Sequence, residues 1–400
     1  MQAILTLNSG SSSIKFAVFT CEDKKPAKAY SGFVDHITTT EPYLKIKDSA
    51  AIVVCEKELQ VPEHVDAYEI AINTILEELQ KIGIKIVAAG HRVVHGAMKY
   101  RSATIVDDEV LNFLERLSSL APLHQPYNLR GIEILRTKHP DLLQVACFDT
   151  AFHTTCNELT QLFAIPKWLT EEGVRRYGFH GLSYEYVVSQ FNKYLPQEKA
   201  DGKIIIMHLG QGASMCGVVN HKSFAVSVGF SALDGLPMGT RSGSFDPGAI
   251  LYLMQAYQMD HKRLERLFYK ESGLLGISGI SSDMRVLLNS DSPDARLAID
   301  LFAYRVGSWV GMLAAEMQGL DGLVFTAGIG ENAPAIREKI CERAAWLGAK
   351  IDQRKNLKNS VCINCSDSKL SIHVIPTDEE LMIAAHTFRV CSQQLVVISN

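Results

Sequence analysis

The sequence lacks three features that would each indicate a class of protein: a basic excess, a regular set of cysteines and a long apolar run. Its 40 Lys and Arg residues against 44 Asp and Glu residues give a formal net charge of −4, which favours no nucleic-acid partner. Nine scattered cysteines, an odd number, argue against a disulfide framework. No apolar run approaches the ~18 residues that cross a membrane, and the N-terminus reaches the polar Asn8 without a secretory signal core. We expect a soluble, cytoplasmic protein.

The closest pair of cysteines, Cys362 and Cys365, predicts two ordinary thiols, because metal sites of this kind need four ligands. A P-loop of the form GxxxxGK[ST] is also absent, so a phosphate site would have to be built another way.

A strand, a polar Gly turn and a second strand occur twice in the chain. Residues 4–19 read ILTLNSGSSSIKFAVF, and residues 204–219 read IIIMHLGQGASMCGVV, so Gly10 falls on Gly210 and Asn8 on His208. One such hairpin is common, but two, each opening one half of the chain, indicate a duplication.

Strand and helix patterns alternate after each hairpin. Residues 66–82 predict a helix that ends at Gly83. The patterns also predict strands at 85–89, 143–148 and 322–326. They predict a long apolar helix over 294–318 and a further helix from Pro334. This mixture predicts an α/β fold in which each half is a mixed sheet flanked by helices.

Three Gly-rich segments suit phosphate groups. Hydroxyl and backbone N–H groups in the first hairpin turn can hold an anion, to which Lys15 adds a positive charge. Glycines in the second turn let the backbone approach a polyphosphate. A Gly turn over residues 328–332 precedes a helix, whose N-terminus favours anions. Each segment alone is equally compatible with a plain turn.

Charged residues at strand ends and in loops form a second set of candidates. Arg92 and Arg241 can clamp carboxylate or phosphate, although single arginines more often form surface salt bridges. Asp149 could be a turn residue and His180 a hydrogen-bonded core residue. Thr377 and Glu380 have the spacing of a capping box, which would leave Glu379 as an oxygen donor for Mg²⁺.

Taken together, these segments resemble the acetate kinase family, in the superfamily of sugar kinases, heat-shock chaperone ATPases and actin. The resemblance extends over nearly the whole chain and rests on ten motifs in order: NSGSSSIK, GHRVVHG, PLHQPYN, FDTAFH, RRYGFHG, HLGQG, MGTRSG, SSDMR, GIGEN and PTDEEL. It implies two similar ribonuclease H-like (actin-like ATPase) domains with a cleft between them. Residues 1–150 with about 384–400 would bind the acyl substrate and metal, and residues 151–383 the nucleotide.

The resemblance also implies roles for individual residues in transferring the ATP γ-phosphoryl group to acetate. The catalytic group would be Asp149, His180 and Arg241, and Mg²⁺ or Mn²⁺ would be held by Asn8 and Glu379. The acyl substrate would contact Arg92, Val94, Leu123, Phe179 and Ala232. Phosphates would also meet Ser11, Ser13 and His124. The ATP contacts would be Lys15, His208, Leu209, Gly210, Gln211, Gly212, Asp283, Met284, Arg285, Gly328, Ile329, Gly330, Glu331 and Asn332.

Five positions depart from the family pattern. Gln211 stands for Asn, Ala213 for Ser, Tyr184 for His, Ala232 for Pro and Ser244 for Asp. Because Ala232 leaves space beside the acyl group while Val94 favours a small one, propionate or butyrate remains an alternative substrate. A chaperone-like ATPase and a catalytically inactive nucleotide-binding module are alternatives of other classes. The resemblance further implies a homodimer.

Overall fold

The computed structural model describes residues 1–20 and 25–398, which divide into two compact units. Unit 1 comprises residues 1–152 and the chain from 378 onward, and unit 2 comprises residues 153–377. The sequence placed the second boundary near 383, six residues later. The chain changes unit earlier because Asp378 already caps the last helix: its Oδ1 accepts the backbone N–H of Leu381 at 2.9 Å.

The strands, in chain order, are β1 (Gln2–Ser9), β2 (Ile14–Thr20), β3 (Ala27–Asp35), β4 (Tyr43–Asp48), β5 (Val53–Glu58), β6 (Lys85–Val93), β7 (Thr104–Ile105), β8 (Leu143–Phe148), β9 (Lys203–Leu209), β10 (Ala213–Val219), β11 (Lys222–Val226), β12 (Gly322–Thr326) and β13 (Ser371–Val374).

The α-helices in the first half are α1 (Ala67–Lys81), α2 (Asp108–Arg116), α3 (Gln125–Lys138), α4 (Glu158–Gln161), α5 (Lys167–Glu171), α6 (Gly181–Ser189), α7 (Phe191–Tyr194) and α8 (Gln197–Ala200). Those in the second half are α9 (Pro247–Ala256), α10 (His261–Lys270), α11 (Gly273–Ser278), α12 (Met284–Leu288), α13 (Pro293–Glu316), α14 (Ala327–Asn332), α15 (Pro334–Arg343), α16 (Gln353–Leu357) and α17 (Glu379–Ile398).

The two units contain sheets of the same topology. In unit 1 the strand order is β5-β4-β3-β2-β1-β6-β8-β7, and in unit 2 it is β11-β10-β9-β12-β13. In both sheets the first hairpin is antiparallel, and its first strand then pairs in parallel with a strand that follows a helical crossover. The core β3-β2-β1-β6-β8 therefore matches β11-β10-β9-β12-β13, which confirms the duplicated mixed-sheet core.

The paired hairpins differ by one residue in their turns. Asn8 lies opposite Lys15 across β1 and β2, whereas His208 lies opposite Ser214 across β9 and β10. The backbone N–H of Gly10 bonds to the carbonyl of Ser13, but that of Gly210 bonds to Gly212, so the second turn is tighter. Ser214 consequently occupies the place in unit 2 that Lys15 occupies in unit 1.

Several elements match the sequence patterns closely. Helix α1 buries Ile72, Ile75 and Leu79 and is followed by Gly83 in the left-handed region, at φ 81°. The segment over residues 328–332 was expected as a Gly turn, but it forms most of helix α14. In that helix the side-chain Nδ2 of Asn332 donates to the carbonyl of Gly328, one turn earlier, at 3.0 Å.

Helix α13 corrects one expectation about apolar length. This 24-residue helix contains an 18-residue window that is apolar enough to cross a membrane, and half of that window is buried inside the protein. Phe302, Val306, Val310 and Leu313 lie in the core of unit 2 with strands β9, β10 and β12. Its apolar length therefore fits the central helix of a packed domain.

Candidate active site

Four predicted residues come together in unit 1, around the guanidinium of Arg92. Its Nη2 lies 2.6 Å from Oδ2 of Asp149, and its Nε lies 3.1 Å from the same oxygen. Its Nη1 lies 3.5 Å from Asn8 Oδ1 and 3.9 Å from Glu379 Oε2. These residues are 371 positions apart at the extremes, from 8 to 379, so the cluster is a product of the fold.

The parallel strands of unit 1 explain this meeting. Asn8 lies near the end of β1, Arg92 near the end of β6, and Asp149 follows β8, whose carboxyl ends share one edge of the sheet. The backbone N–H of Asp149 also bonds to the Val93 carbonyl at 3.1 Å. Glu379 begins α17, the helix that returns to unit 1.

Electrostatics keep the guanidinium of Arg92 ionised. Burial alone would lower the pKa of Arg92, but Asp149 and Glu379 outweigh that effect and raise it. Asp149 has 1% of its surface exposed and receives two charge-assisted hydrogen bonds from Arg92. Nη1 is thus the part of the guanidinium directed away from Asp149, toward the side of Asn8 and Glu379.

Asn8 and Glu379 supply an amide and a carboxylate oxygen, the hard donors that Mg²⁺ prefers. Within residues 1–20 and 25–398 no group of three or more His, Cys, Asp or Glu side chains is placed to hold a metal ion. Two protein oxygens fit an ion that takes its other ligands from phosphate and water.

The capping-box prediction is wrong, because Asp378 rather than Thr377 caps α17. Burial raises the pKa of Glu380, helped by Glu379 and Asp378.

The other predicted residues of unit 1 lie on the same strands and turns. Lys15 is exposed and lies directly opposite Asn8, so the two side chains share a face of the sheet. Ser11 and Ser13 lie in the hairpin turn, which Tyr68 holds by a 2.5 Å bond from its hydroxyl to the Gly10 carbonyl. Val94 is buried beyond β6. Leu123 and His124 directly precede α3, and His124 is at the N-cap.

Two buried amides of unit 1 were missed by the sequence reasoning. Asn128 donates to the Ser9 carbonyl at 2.6 Å and accepts the Val94 N–H at 3.0 Å, so it joins the ends of β1 and β6. Gln125 exchanges two bonds, both at 3.1 Å, with the backbone of His95. Their only signal was their place in the motif PLHQPYN, next to His124.

In unit 2 two predicted histidines stack on each other. The rings of His180 and His208 are 4.2 Å apart between centroids and 14° from parallel. His180 Nδ1 lies 2.7 Å from the Ser214 hydroxyl, which also lies 2.5 Å from the Tyr184 hydroxyl. His208 Nδ1 lies 2.8 Å from the Ser183 hydroxyl. His180 has left-handed backbone angles, φ 58° and ψ 25°, a strained conformation that the surrounding structure maintains.

Arg241 lies on a loop that is folded back on itself. Its Nη1 donates to the carbonyl of Ala232 at 3.0 Å. The Ser244 hydroxyl donates to Asp234 at 2.7 Å and accepts the Gly235 N–H at 3.1 Å. An Asp in place of Ser244 would set a second carboxylate beside Asp234, so the departure at this position suits its neighbour. Phe179, the other acyl contact predicted in unit 2, is buried.

Three predicted ATP segments meet in unit 2 around a cavity of about 350 Å³. They are the hairpin turn after β9, the start of α12 and helix α14. The lining residues are Gly210, Gln211, Ser282, Asp283, Met284, Arg285, Leu288, Gly328, Ile329, Asn332 and Ala333. This volume and mixed lining are typical of a small-molecule site.

Not every predicted ATP contact presents its side chain to the cavity. Leu209 is buried in the core of unit 2, and Met284, which also lines the cavity, packs in the same core. Glu331 accepts the backbone N–H groups of Ala327 at 2.8 Å and Thr377 at 3.2 Å, so its carboxylate serves the fold. Asp283 caps α12 and pairs with the exposed Arg285, whose side-chain hydrogen bonds lower the pKa of the carboxyl.

A buried arginine beneath α14 was also missed. Arg337 is 0% exposed, and its Nη1 donates to the carbonyls of Gly330 and Glu331 at 2.8 and 2.9 Å. Its Nε and Nη2 bond to the side chain and carbonyl of Asn356. Burial lowers the pKa of Arg337 to about 10. The sequence shows it only as one of several charged residues in helix α15.

Comparison with known proteins gives consistent relatives over nearly the whole chain. The profile of the acetokinase family matches residues 3–385. An acetate kinase of Rhodopseudomonas palustris (strain TIE-1) is 46% identical over 396 residues, 96% of this chain and 98% of the relative.

Solved structures give the same result. A propionate kinase from Francisella tularensis has a TM-score of 0.88 and 38% identity, covering 97% of this chain and all of that one. The Porphyromonas gingivalis acetate kinase has a TM-score of 0.86 and 36% identity, covering 98% of this chain and all of that one. With the strand order and the ordered motifs, these matches show that the chain belongs to the acetokinase family.

Proposed function

We infer that this protein transfers the γ-phosphoryl group of ATP reversibly to acetate, giving acetyl phosphate and ADP. The observation that carries this inference is that a member of the acetokinase family, matched over residues 3–385, gathers Asn8, Arg92, Asp149 and Glu379 into one cluster. A protein that only bound nucleotide would have no need of this set.

The chemistry asks mainly for positioning and neutralisation of charge. Acetate has a pKa near ~4 to 5 and is ionised at pH 7, so it needs no strong general base. The obstacle is the approach of one anion to another. Arg92 would hold the carboxylate through Nη1, while Asp149 fixes the orientation of the guanidinium through Nε and Nη2. His180 and Arg241 would stabilise the negative charge of the group in transfer.

Asn8 and Glu379 would hold Mg²⁺ or Mn²⁺, with Lys15, Ser11, Ser13 and His124 directed to the phosphates. Bound there, the ion would neutralise charge on the phosphate oxygens. The cavity in unit 2 would receive the nucleotide. On this proposal unit 1 is the acyl-substrate and metal domain and unit 2 the nucleotide domain.

The direct test is formation of an acyl phosphate. Purified protein with ATP, Mg²⁺ and acetate should give hydroxamate when hydroxylamine is added. A chaperone-like ATPase would instead release inorganic phosphate at the same rate with and without acetate, and that result would reject the proposal.

Propionate is the second candidate substrate. One of the solved relatives is a propionate kinase, and Ala232 leaves more room than a Pro would. A pocket discriminates one methylene by only ~1–3 kcal/mol. Comparing kcat/KM for acetate, propionate and butyrate decides between them; we expect acetate to have the highest value and propionate a measurable one.

A homodimer and a cytoplasmic location complete the proposal. Helix α9 buries none of its residues although its side chains are largely apolar, and Leu251 is 67% exposed. Such a surface is typical of an interface. Light scattering should give twice the mass of 44.2 kDa, and Leu251→Asp should reduce it to one chain. Cell fractionation tests the location, which we expect because ATP is abundant in the cytoplasm.

A further inference from the structure

We propose that Tyr184 is a positioning residue that acts through Ser214 to set the tautomer of His180, leaving Nε2 as the protonated nitrogen. The inference rests on the proposed function, because it gives His180 the form suited to hydrogen-bond the group in transfer. It rests on the hydrogen bonds that join the buried hydroxyls of Tyr184 and Ser214 to the half-buried imidazole of His180 in unit 2.

Tyr184 forms the outer end of this hydrogen-bonded chain and is 0% exposed. Burial, then the nearby Cys216, raises the pKa of its hydroxyl well above the usual value, so the proton stays on. Among the described residues this hydroxyl has one hydrogen-bond partner, Ser214, at 2.5 Å. A buried O–H group without an acceptor is costly, so Tyr184 donates and Ser214 accepts.

Ser214 then has one proton left to place. It is 1% exposed, and in the described part of the chain its hydroxyl has two partners, Tyr184 and His180 Nδ1 at 2.7 Å. Since Tyr184 already donates to it, Ser214 donates to His180. Nδ1 is therefore an acceptor and carries no proton, and the neutral imidazole carries its proton on Nε2.

The neighbouring histidine shows the same arrangement. The Ser183 hydroxyl is buried, and its one partner within residues 1–20 and 25–398 is His208 Nδ1, at 2.8 Å, so it donates there. The two imidazoles stack at 4.2 Å, a separation at which two positive charges would repel. A methyl group added at Gly212 would lie 3.3 Å from His180 Nε2, which places this nitrogen beside the glycine turn.

The arrangement has a chemical consequence. A neutral imidazole held as an Nε2–H donor can hydrogen-bond a phosphoryl oxygen without first losing a proton or turning over. The family resemblance has His where Tyr184 stands, so in this chain a phenol takes the place of an imidazole at the outer end of the relay.

NMR tests the tautomer independently of activity. Long-range ¹H–¹⁵N correlation of the full-length protein labelled with ¹⁵N-histidine, with His180 assigned from His180→Gln, should show an unprotonated Nδ1 and a protonated Nε2. In Tyr184→Phe the Ser214 hydroxyl is free to accept as well as donate, so the Nδ1–H form or the imidazolium should appear. A wild-type His180 with its proton on Nδ1 would overturn the proposal whether or not any variant folds.

Kinetics show whether the tautomer matters for transfer. Tyr184→Phe should lower kcat about fivefold to tenfold, the effect of one hydrogen bond, with KM for ATP and acetate nearly unchanged. Ser214→Ala should act similarly, and Ser214→Thr, which keeps the hydroxyl, should restore the signal of the wild type. Tyr194→Phe on α7, whose ring contacts Lys193, is the matched control and should change neither measurement.

Two results separate the explanations. If Tyr184→Phe loses activity while His180 keeps the same tautomer, the residue has only a packing role and the proposal is wrong. If the wild type makes no acyl phosphate, the proposed function fails, while the NMR spectra still decide on the relay.

Discussion

The two units share a sheet topology but place opposite kinds of chemistry at equivalent strand ends. In unit 1 the ends of β1, β6 and β8 bear Asn8, Arg92 and Asp149, a set dominated by full charges. In unit 2 β9 leads into a glycine-rich turn and β12 leads into α14, and both of these segments line the cavity. The two units have therefore kept the same sheet, while the residues at the ends of its strands differ. Unit 1 has charged side chains there, and unit 2 has glycine-rich segments.

Each unit also has one arginine at the base of its site, with a different kind of partner. Arg92 is paired with the carboxylate of Asp149, so its charge is balanced. Arg337 is surrounded by the oxygens of Gly330, Glu331 and Asn356, all uncharged groups in these bonds. The first arrangement leaves Nη1 of Arg92 on the side of Asn8 and Glu379, and the second holds the backbone of α14 in place through the guanidinium of Arg337.

Breaking the charged half should have the largest effect. On the proposed function Arg92→Ala removes the group that holds the substrate carboxylate, so kcat/KM for acetate should fall on the order of 10³-fold. It also leaves Asp149 buried without its cation, so the free energy of unfolding should fall by about 3–5 kcal/mol. Steady-state assays and chemical denaturation measure the two. Arg92→Lys keeps the positive charge but loses the forked guanidinium, so its activity and stability should lie between those of the wild type and of Arg92→Ala. Activity of Arg92→Ala near that of the wild type would refute this role.

Arg241→Ala tests the transition-state role assigned to unit 2. Removing one donor to the transferring group should lower kcat on the order of 10²-fold, with a retained fold shown by circular dichroism. Arg285→Ala, an exposed residue beside the nucleotide cavity, should instead alter mainly KM for ATP. Equal effects of both substitutions on kcat would remove the distinction.

Arg337→Met should disturb unit 2 while leaving unit 1 intact. It leaves several buried oxygens without donors, so the free energy of unfolding should fall by about 3 kcal/mol or more, and KM for ATP should rise because α14 loses its support. Arg343→Met on the same helix removes an exposed side chain that stacks on Tyr304, 4.5 Å from its ring centroid, and should change KM little. A change in KM for acetate alone would contradict the assignment.

Acid should affect the two units alike. Burial lowers the pKa of His91 and His95 in unit 1, and of His153 and His373 in unit 2, to about 4. Because the unfolded chain takes up protons near pH 6.5 while the folded chain does not, stability should fall as the pH drops from about 6.5 to 4, by up to about 3 kcal/mol per histidine. Denaturation at several pH values measures the slope; the control His261→Gln, at an exposed residue, should keep it.

The smallest effect is expected at Gln211. Its Nε2 lies so close to Gly239 that a methyl group added there would be 2.5 Å away, so the longer amide braces the loop of Arg241. Gln211→Asn shortens the side chain by one methylene and withdraws its amide from Gly239, so KM for ATP should rise about twofold to fivefold with kcat nearly unchanged. Isothermal titration with ADP gives the same comparison without turnover, and tighter binding by Gln211→Asn would show that the amide crowds the site.

Sequence reasoning could predict the parts of this protein that depend on local pattern and ordered motifs. The hairpins, α1, β12 and the cluster of Asn8, Arg92, Asp149 and Glu379 all belong to this class. Residues whose role depends on long-range packing were not predictable. Arg337 and Asn128 look like ordinary polar residues in the sequence, and only the folded structure shows that they are buried. Asp378 rather than Thr377 caps α17, because the helix begins one residue later than the capping-box spacing indicates.

The return of the chain to unit 1 has a consequence for biosynthesis. Unit 2 is one continuous segment, but unit 1 is completed only by α17, in which Ala384 packs on Ala17 and Phe19. On the ribosome the residues up to Thr377 can therefore form their sheets before the final helix emerges. Glu379 begins that last segment, so on the proposed function a nascent chain that ends before α17 lacks one of its two metal-holding residues and cannot yet consume ATP.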